Sequence, residues 1–210
     1  RSRMGMRFVI GCPGVFGLCL SVIRVSPSRD RAHSQIMLKQ LENVGVRPAK
    51  VADADELVRI HREAWTDAYR CIIPPDILDG MIQNRSSAWW RRSLGEGETV
   101  LLLEVMGRPV GYATCGRERG TLLADSSTDR GEIYELYLEP TVQGLGLGEF
   151  LFEACRGVFD EWGLRGPVVW VLADNQEALQ FYQARGGRSA GKVLEKIGRF
   201  PLGKVALVWD

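Results

Sequence analysis

The stretch Glu132-Ile-Tyr-Glu-Leu-Tyr-Leu-Glu-Pro140-Thr-Val-Gln143-Gly-Leu-Gly-Leu-Gly148 decides how this chain folds. Its first half is rich in Ile, Tyr and Leu and reads as a β-strand that Pro140 stops. Beyond the glycines, Leu147, Phe150, Leu151, Ala154 and Val158 recur at helical spacing, so one apolar stripe of a helix faces a core. Gly144, Gly146 and Gly148 alternate where strand gives way to helix, where the first N–H groups of a helix have no intrahelical partner. Glycine lets a backbone approach a ligand closely, and the helix dipole favours negative charge at that end. The natural guest of such a turn is a phosphate or pyrophosphate.

Two common phosphate sites do not match. The dinucleotide fingerprint G-x-G-x-x-G fails because Gly148 is followed by Glu149 and Phe150, and no Gly-Lys-Ser/Thr follows the turn as a nucleotide P-loop requires. Farther along, Val168-Val-Trp-Val-Leu172 reads as a short buried strand. A helix follows it, opening near Asp174-Asn175-Gln-Glu177, where Asp174 and Glu177 have capping-box spacing, and closing at Gly186-Gly187.

The pattern Gln143-x-x-Gly146-x-Gly148 directly after a strand resembles the acyl-CoA signature of the GNAT acetyltransferase superfamily. By itself it also suits a strand-to-helix turn that binds nothing. The later order of strand, Asn175, helix with Phe181-Tyr182, and Gly186-Gly187 resembles the second block of the same superfamily. The likeness covers roughly Val44 to Asp210. It implies an α/β (α+β) fold with a mixed, twisted sheet of about six to seven strands and about four flanking helices. The fourth and fifth strands are expected to splay apart and admit the pantetheine chain.

The rest of the chain agrees in order. Gly45-Val-Arg-Pro48 reads as a first strand, and Asp53 and Glu56 as a second capping box opening a helix with Leu57, Ile60, Ala64 and Ala68 on one face. The segment 75–94 is broadly helical with an interruption at Asn84-Arg-Ser-Ser87. Thr99 to Val105 and Val110 to Cys115 read as a hairpin around Gly107-Arg-Pro109. Residues 117–130 read as a polar loop, and 187–197 and 200–209 as a final strand pair turning near Gly198.

Residues 1–43 are expected to be a non-catalytic or non-native extension, with Met37 as a plausible true start, and residues 44–210 the catalytic domain. A signal or anchor in the apolar run Phe8 to Ile23 is the second reading. With 45% apolar residues the chain can bury a sizeable core, and 27 basic against 26 acidic residues give no argument for nucleic acid. The five cysteines match no zinc spacing, and Cys115 and Cys155 sit in apolar patterns. No metal, no stable membrane association, a cytoplasmic setting and a monomer or homodimer are expected. His61 reads as a surface or groove residue.

The chemistry implied by the resemblance is N-acetyl transfer from acetyl-CoA to a primary amine, by direct attack in a ternary complex. Its alternative is a non-catalytic, regulatory acyl-CoA-binding module of the same fold; a nucleotide-binding oxidoreductase lacks its fingerprint. Tyr182 matches the tyrosine beside the leaving sulfur. For the base, Glu132 stands first and Glu135 second, with ordered water a third possibility. Strict alternation puts the two glutamates on opposite faces, and a bulge would upset this. Cofactor contacts are expected from Leu136, Tyr137 and Leu138 in the strand, from Gln143, Gly144, Leu145, Gly146, Leu147 and Gly148 in the turn, and from Asn175 and Tyr182. Leu145 stands where the family pattern usually has a basic residue. Acceptor-side candidates are Trp65, Tyr69, Trp89 and Trp90, with Glu63 and Asp67 as acidic helpers. The run from Ala64 to Pro74 resembles a bacterial subgroup whose substrates vary.

Overall fold

Strands whose side chains alternate between two apolar clusters assemble into one seven-stranded sheet in the computed structural model, which describes residues 43–119, 129–197 and 200–209. In chain order the elements are β1 (Val44–Pro48), α1 (Ala54–Tyr69), α2 (Pro75–Asn84), α3 (Ser87–Gly95), β2 (Thr99–Val105), β3 (Arg108–Arg117) and β4 (Arg130–Leu138). They continue with α4 (Leu147–Glu161), β5 (Arg165–Leu172), α5 (Gln176–Gln183), β6 (Arg188–Ile197) and β7 (Phe200–Val208). The strand order is β1-β2-β3-β4-β5-β7-β6, antiparallel everywhere except the parallel β4–β5 pair. The expected α/β architecture is therefore present, with five α-helices among the described residues rather than about four. The extra one arises because Ser86 caps a new helix, its hydroxyl accepting from Trp89 N–H at 3.3 Å, and so divides 75–94 in two.

Along β2, Val100 and Leu102 face one side while Leu101 and Leu103 face the other. The first side packs against α1, α2 and α3 through Leu57, Ile60, Trp65, Leu78 and Trp90. The second packs against α4 and α5 through Leu147, Leu151, Phe152, Cys155, Phe159 and Phe181. Each of these large buried side chains contributes on the order of 1.5–3 kcal/mol of transfer free energy.

Several local expectations need correction. The buried stripe of α4 is Leu147, Leu151, Phe152, Cys155 and Phe159, while Phe150 is 41% exposed and Ala154 and Val158 only flank the core. Two apolar stripes overlap in this segment, and packing against the sheet sets which one faces inward. Asp53 does not cap α1. Its carboxylate turns back to accept from Lys50 N–H at 2.6 Å and pairs with Arg47 at 2.8 Å. Asp174 likewise yields its capping role to Asn175. The β2–β3 turn is Met106-Gly107, so Arg108 and Pro109 already belong to the strand. The readings made for residues 1–42, for the middle of the 117–130 loop and for the turn at Gly198 lie outside the described residues. No helix of the described residues is long and apolar enough to cross a membrane.

Candidate active site

The site begins with a failure of strand pairing. β4 and β5 pair only at Arg130↔Arg165, Glu132↔Val168 and Ile133↔Val169. Beyond that point Tyr134 to Leu138 and Trp170 to Leu172 diverge, although β4 stays paired with β3 through Leu138 and β5 with β7 through Leu172. The facing edges of β4 and β5 are thus open over the second half of each strand. Leu136, Tyr137 and Leu138 lie in this open half.

The glycine turn closes one end of the opening. After a 3-10 turn at Pro140–Val142, Gly144 and Gly146 take φ of +76° and +80°, a region that side chains with a Cβ rarely occupy. Gly146 is the N-cap of α4, so the first N–H groups of that helix project at the turn. Gln143 folds back and donates Nε2–H to Leu138 O at 3.0 Å, while its Oε1 is buried with no partner among the described residues. Leu145 packs against the α4-side cluster. Across the opening, Asn175 caps α5 by accepting Ala178 N–H at 3.0 Å. Tyr182 is fully buried, its ring against Phe152, Phe181 and Trp209 at 6.0, 4.9 and 5.8 Å between centroids. Gly187 N–H to Tyr182 O and Gly186 N–H to Gln183 O then end this helix in a Schellman pair.

A bulge governs the two glutamates. The β3–β4 register passes from Thr114↔Glu135 to Cys115↔Ile133, leaving Tyr134 extra. Ile133 and Leu136 consequently both face α4, and a Cβ on Gly131 would meet the Phe159 ring of the same helix. Glu132 and Glu135 therefore share the opposite face, against strict alternation. Both are 2% exposed. Glu132 accepts Arg119 N–H at 2.7 Å, and desolvation by burial pushes its pKa up to about 7 against the pull of that hydrogen bond. Glu135 takes Arg85 Nη2 at 2.5 Å on one oxygen and the Tyr112 hydroxyl at 2.9 Å on the other. Burial raises its pKa too, but Arg85 and Tyr112 oppose the rise.

On the α1 side of the open strand half lies an aromatic group. Trp65, Tyr69 and Trp90 are buried there with Tyr112 and Tyr137, while Trp89 lies at its edge, stacked under the Arg85 guanidinium at 3.8 Å. Of the acidic candidates, Glu63 lies near Arg59 and Asp67 near Arg70. His61, expected at the surface or in a groove, is instead fully buried within it, with Nδ1 2.7 Å from the Tyr112 hydroxyl. The sequence held a signal for this, since His61 falls on the α1 stripe between Ile60 and Ala64. Arg85 and Tyr112 carried no comparable signal. Cys115 and Cys155 are buried packing residues as expected. Among the described residues, no group of three or more His, Cys, Asp or Glu side chains is placed to hold a metal ion.

Known proteins share this fold. A model of the acetyltransferase (GNAT) family matches residues 55–186. An uncharacterized N-acetyltransferase of Bacillus subtilis, YuaI, is 28% identical over 166 residues, covering 79% of this chain and 92% of its own. Among solved structures, the PaiA N-acetyltransferase of Thermoplasma acidophilum in complex with coenzyme A superposes with a TM-score of 0.61 at 17% identity, over 77% of this chain and 98% of that one. The putative acetyltransferase YncA of Salmonella typhimurium, with acetyl-CoA, gives 0.57 at 22% identity, over 80% and 94%. At these identities the two structures speak for the fold.

Proposed function

The chain belongs to the acetyltransferase (GNAT) family, and from that premise we propose that it moves an acetyl group from acetyl-CoA to a primary amine by direct attack in a ternary complex. The observation that carries this reading is the convergence of three features on one strand. The β4 edge is open opposite β5, the glycine turn presents a helix N-terminus at its end, and a buried carboxyl with a pKa near neutrality sits where pairing stops.

The residues present fit the cosubstrate. A pyrophosphate is an acceptor and suits the N–H groups of residues 144–148 at the start of α4. Gln143 Oε1 is an acceptor and cannot serve a phosphate oxygen; it suits an amide N–H of the pantetheine arm. Asn175 Oδ1 is committed to its helix, so a ligand carbonyl would meet its NH2 group instead. The open backbone of Leu136, Tyr137 and Leu138 would hold the arm and polarise the thioester carbonyl.

In the proposed reaction the amine nitrogen attacks the thioester carbon, the C–S bond breaks, and two protons move. Glu132 receives the proton of the amine, directly or through water, because a base is most effective when its pKa lies near the working pH. Tyr182 gives a proton to the departing thiolate and regains one from solvent, to which Glu132 returns the proton of the amine, so both groups are reset. Glu135, with both oxygens engaged, is the weaker choice of base. The test is thiol release from acetyl-CoA against a panel of primary amines, alongside melting temperature with CoA. Amine-dependent thiol release supports the proposal. A CoA-dependent rise in melting temperature with no turnover on any amine would favour the non-catalytic binding module.

A further inference from the structure

Glu139 is a buried acidic residue at the joint between β4 and the glycine turn. It follows Leu138 and precedes the 3-10 turn Pro140–Val142. Its main chain is committed on both sides. The N–H donates to Val110 O at 2.9 Å, and the carbonyl accepts Val142 N–H at 3.1 Å. Its carboxylate is held from two elements far away in the sequence. Arg108, at the start of β3, places Nη1 3.0 Å from Oε2 and Nη2 3.0 Å from Oε1. Arg59, in the first half of α1, donates from Nη1 to Oε1 and from Nη2 to Pro109 O at 2.9 Å. Glu56 in turn steadies Arg59, accepting from Nη2 at 2.6 Å and Nε at 2.9 Å. An apolar residue would fill such a joint without the desolvation penalty of a buried charge, so the cluster calls for a reason other than stability.

The neighbouring turn supplies one. Gln143-Gly-Leu-Gly-Leu-Gly148 contains no basic residue, so a pyrophosphate there is met by N–H groups, and their aim decides how well it is held. Half of these residues are glycine, which loses more conformational freedom on ordering than any other residue. A turn of this composition binds well only when it is ordered before the ligand arrives. Its far end is the first turn of α4, packed on the sheet through Leu147 and Leu151. Its near end hangs from Glu139 through the 3-10 turn, where Gln143 N–H donates to Pro140 O at 3.4 Å. The 3-10 turn also touches α1, the helix that carries Arg59.

Resting on the placement of the acetyl-CoA pyrophosphate at this turn, we infer that Glu139, Arg59 and Arg108 are positioning residues for the cosubstrate. The two guanidinium groups hold Glu139 in one place, and Glu139 fixes the start of the turn. The N–H groups of residues 144–148 are thereby aimed before the pyrophosphate binds. The three residues act through the turn and not on the reacting atoms.

The test is equilibrium titration of the full chain with CoA and with pantetheine, which keeps the thiol arm and lacks the pyrophosphate. The parent should bind CoA more tightly than pantetheine. Glu139→Gln should weaken CoA at least about fivefold and leave pantetheine within about twofold of the parent. The direction is diagnostic, because charge alone works the other way: removing a carboxylate would strengthen the binding of an anion. Arg59→Met should act like Glu139→Gln. Arg59→Lys should recover only part of the loss, since an ammonium keeps the charge but lacks the planar fork that reaches Glu139 and Pro109 O together. Parent-like or tighter CoA binding by a folded Glu139→Gln protein would overturn the inference. So would equal losses for CoA and pantetheine, the mark of a cluster that only supports the fold. If Glu139→Gln does not fold, Arg59→Lys, which leaves Arg108 on Glu139, decides by the same comparison. A parent that binds CoA no more tightly than pantetheine would sink the pyrophosphate placement itself, and the inference with it.

Discussion

Glu132 and Glu135 project from the same face of β4 although they lie three positions apart, because the bulge at Tyr134 adds one residue between them. Two carboxyls on one buried face have been given different company. One keeps a single backbone hydrogen bond and rises to a pKa of about 7, whereas the other is clamped between a guanidinium and a phenol. Environments that differ in this way assign different roles to chemically similar groups.

Glu132 should show opposite effects on activity and stability. The parent kcat/KM should rise through pH about 7 as the carboxyl ionises. Glu132→Gln should lose that limb, lowering turnover by about 10²–10⁴ near neutrality, and recover partly at alkaline pH where the amine is already neutral. Stability moves the other way. A pKa raised on folding means that the native state binds the proton more tightly, so the stabilising contribution is present at acid pH and is lost as pH rises through about 7. The neutral amide avoids this loss, so Glu132→Gln should be more stable than the parent at pH above 7, by up to about 3 kcal/mol, and similar to it in acid. Urea denaturation across pH measures the difference. A variant less stable than the parent at alkaline pH would contradict the desolvated carboxyl.

Arg85→Met tests the other carboxyl. The ion pair is nearly buried on both sides, with side-chain exposures of 14% and 3%. Removing only the cation leaves Glu135 as an unpaired buried charge, which costs about 3–5 kcal/mol. Without Arg85 only the Tyr112 hydrogen bond and the weaker pull of the Arg119 charge oppose the upward push of burial on the Glu135 pKa, so acid should protonate it and relieve much of the cost. Glu135→Gln in the Arg85→Met background should restore stability at neutral pH. A double-mutant cycle with no coupling would show the pair to be energetically idle.

Much of this architecture was legible because its signals are local. The turn from Gln143 to Gly148 needs only backbone freedom and a helix start, and both are written in consecutive residues. The strand pair β4 and β5 and the end of α5 at Gly186-Gly187 were legible on the same grounds. What escaped depends on partners far along the chain. Asp53 deserts its cap because Arg47 and Lys50 N–H compete for the same oxygens. The faces of Glu132 and Glu135 follow from one extra residue opposite β3, which no periodicity within β4 reveals. His61 is buried as a polar residue because Tyr112, fifty-one positions later, meets its ring. In α4 two apolar stripes were offered, and only packing against β4 chose between them.

Gly146→Val should abolish CoA binding without unfolding the protein. The residue adopts φ of +80°, which a β-branched side chain occupies only with strain, of order 1–3 kcal/mol. That strain would reshape the turn and the first N–H groups of α4. A folded variant should show no rise in melting temperature with CoA, whereas the parent shows one. Isothermal titration giving parent-like CoA affinity would move the pyrophosphate away from this turn.

Tyr182→Phe is the most selective probe of the leaving group. The ring is fully buried among Phe152, Phe181 and Trp209, and phenylalanine keeps those contacts while removing one oxygen. If the hydroxyl protonates the thiolate, kcat should fall by about one to three orders of magnitude with little change in CoA affinity. The loss should shrink with an acyl donor whose thiol is more acidic, because such a thiolate needs less help to depart. A purely structural tyrosine would act differently, lowering melting temperature and affecting all donors alike. Single-turnover measurements isolate the chemical step from product release. Unchanged single-turnover rates with acetyl-CoA would remove Tyr182 from the mechanism and leave protonation of the sulfur to solvent.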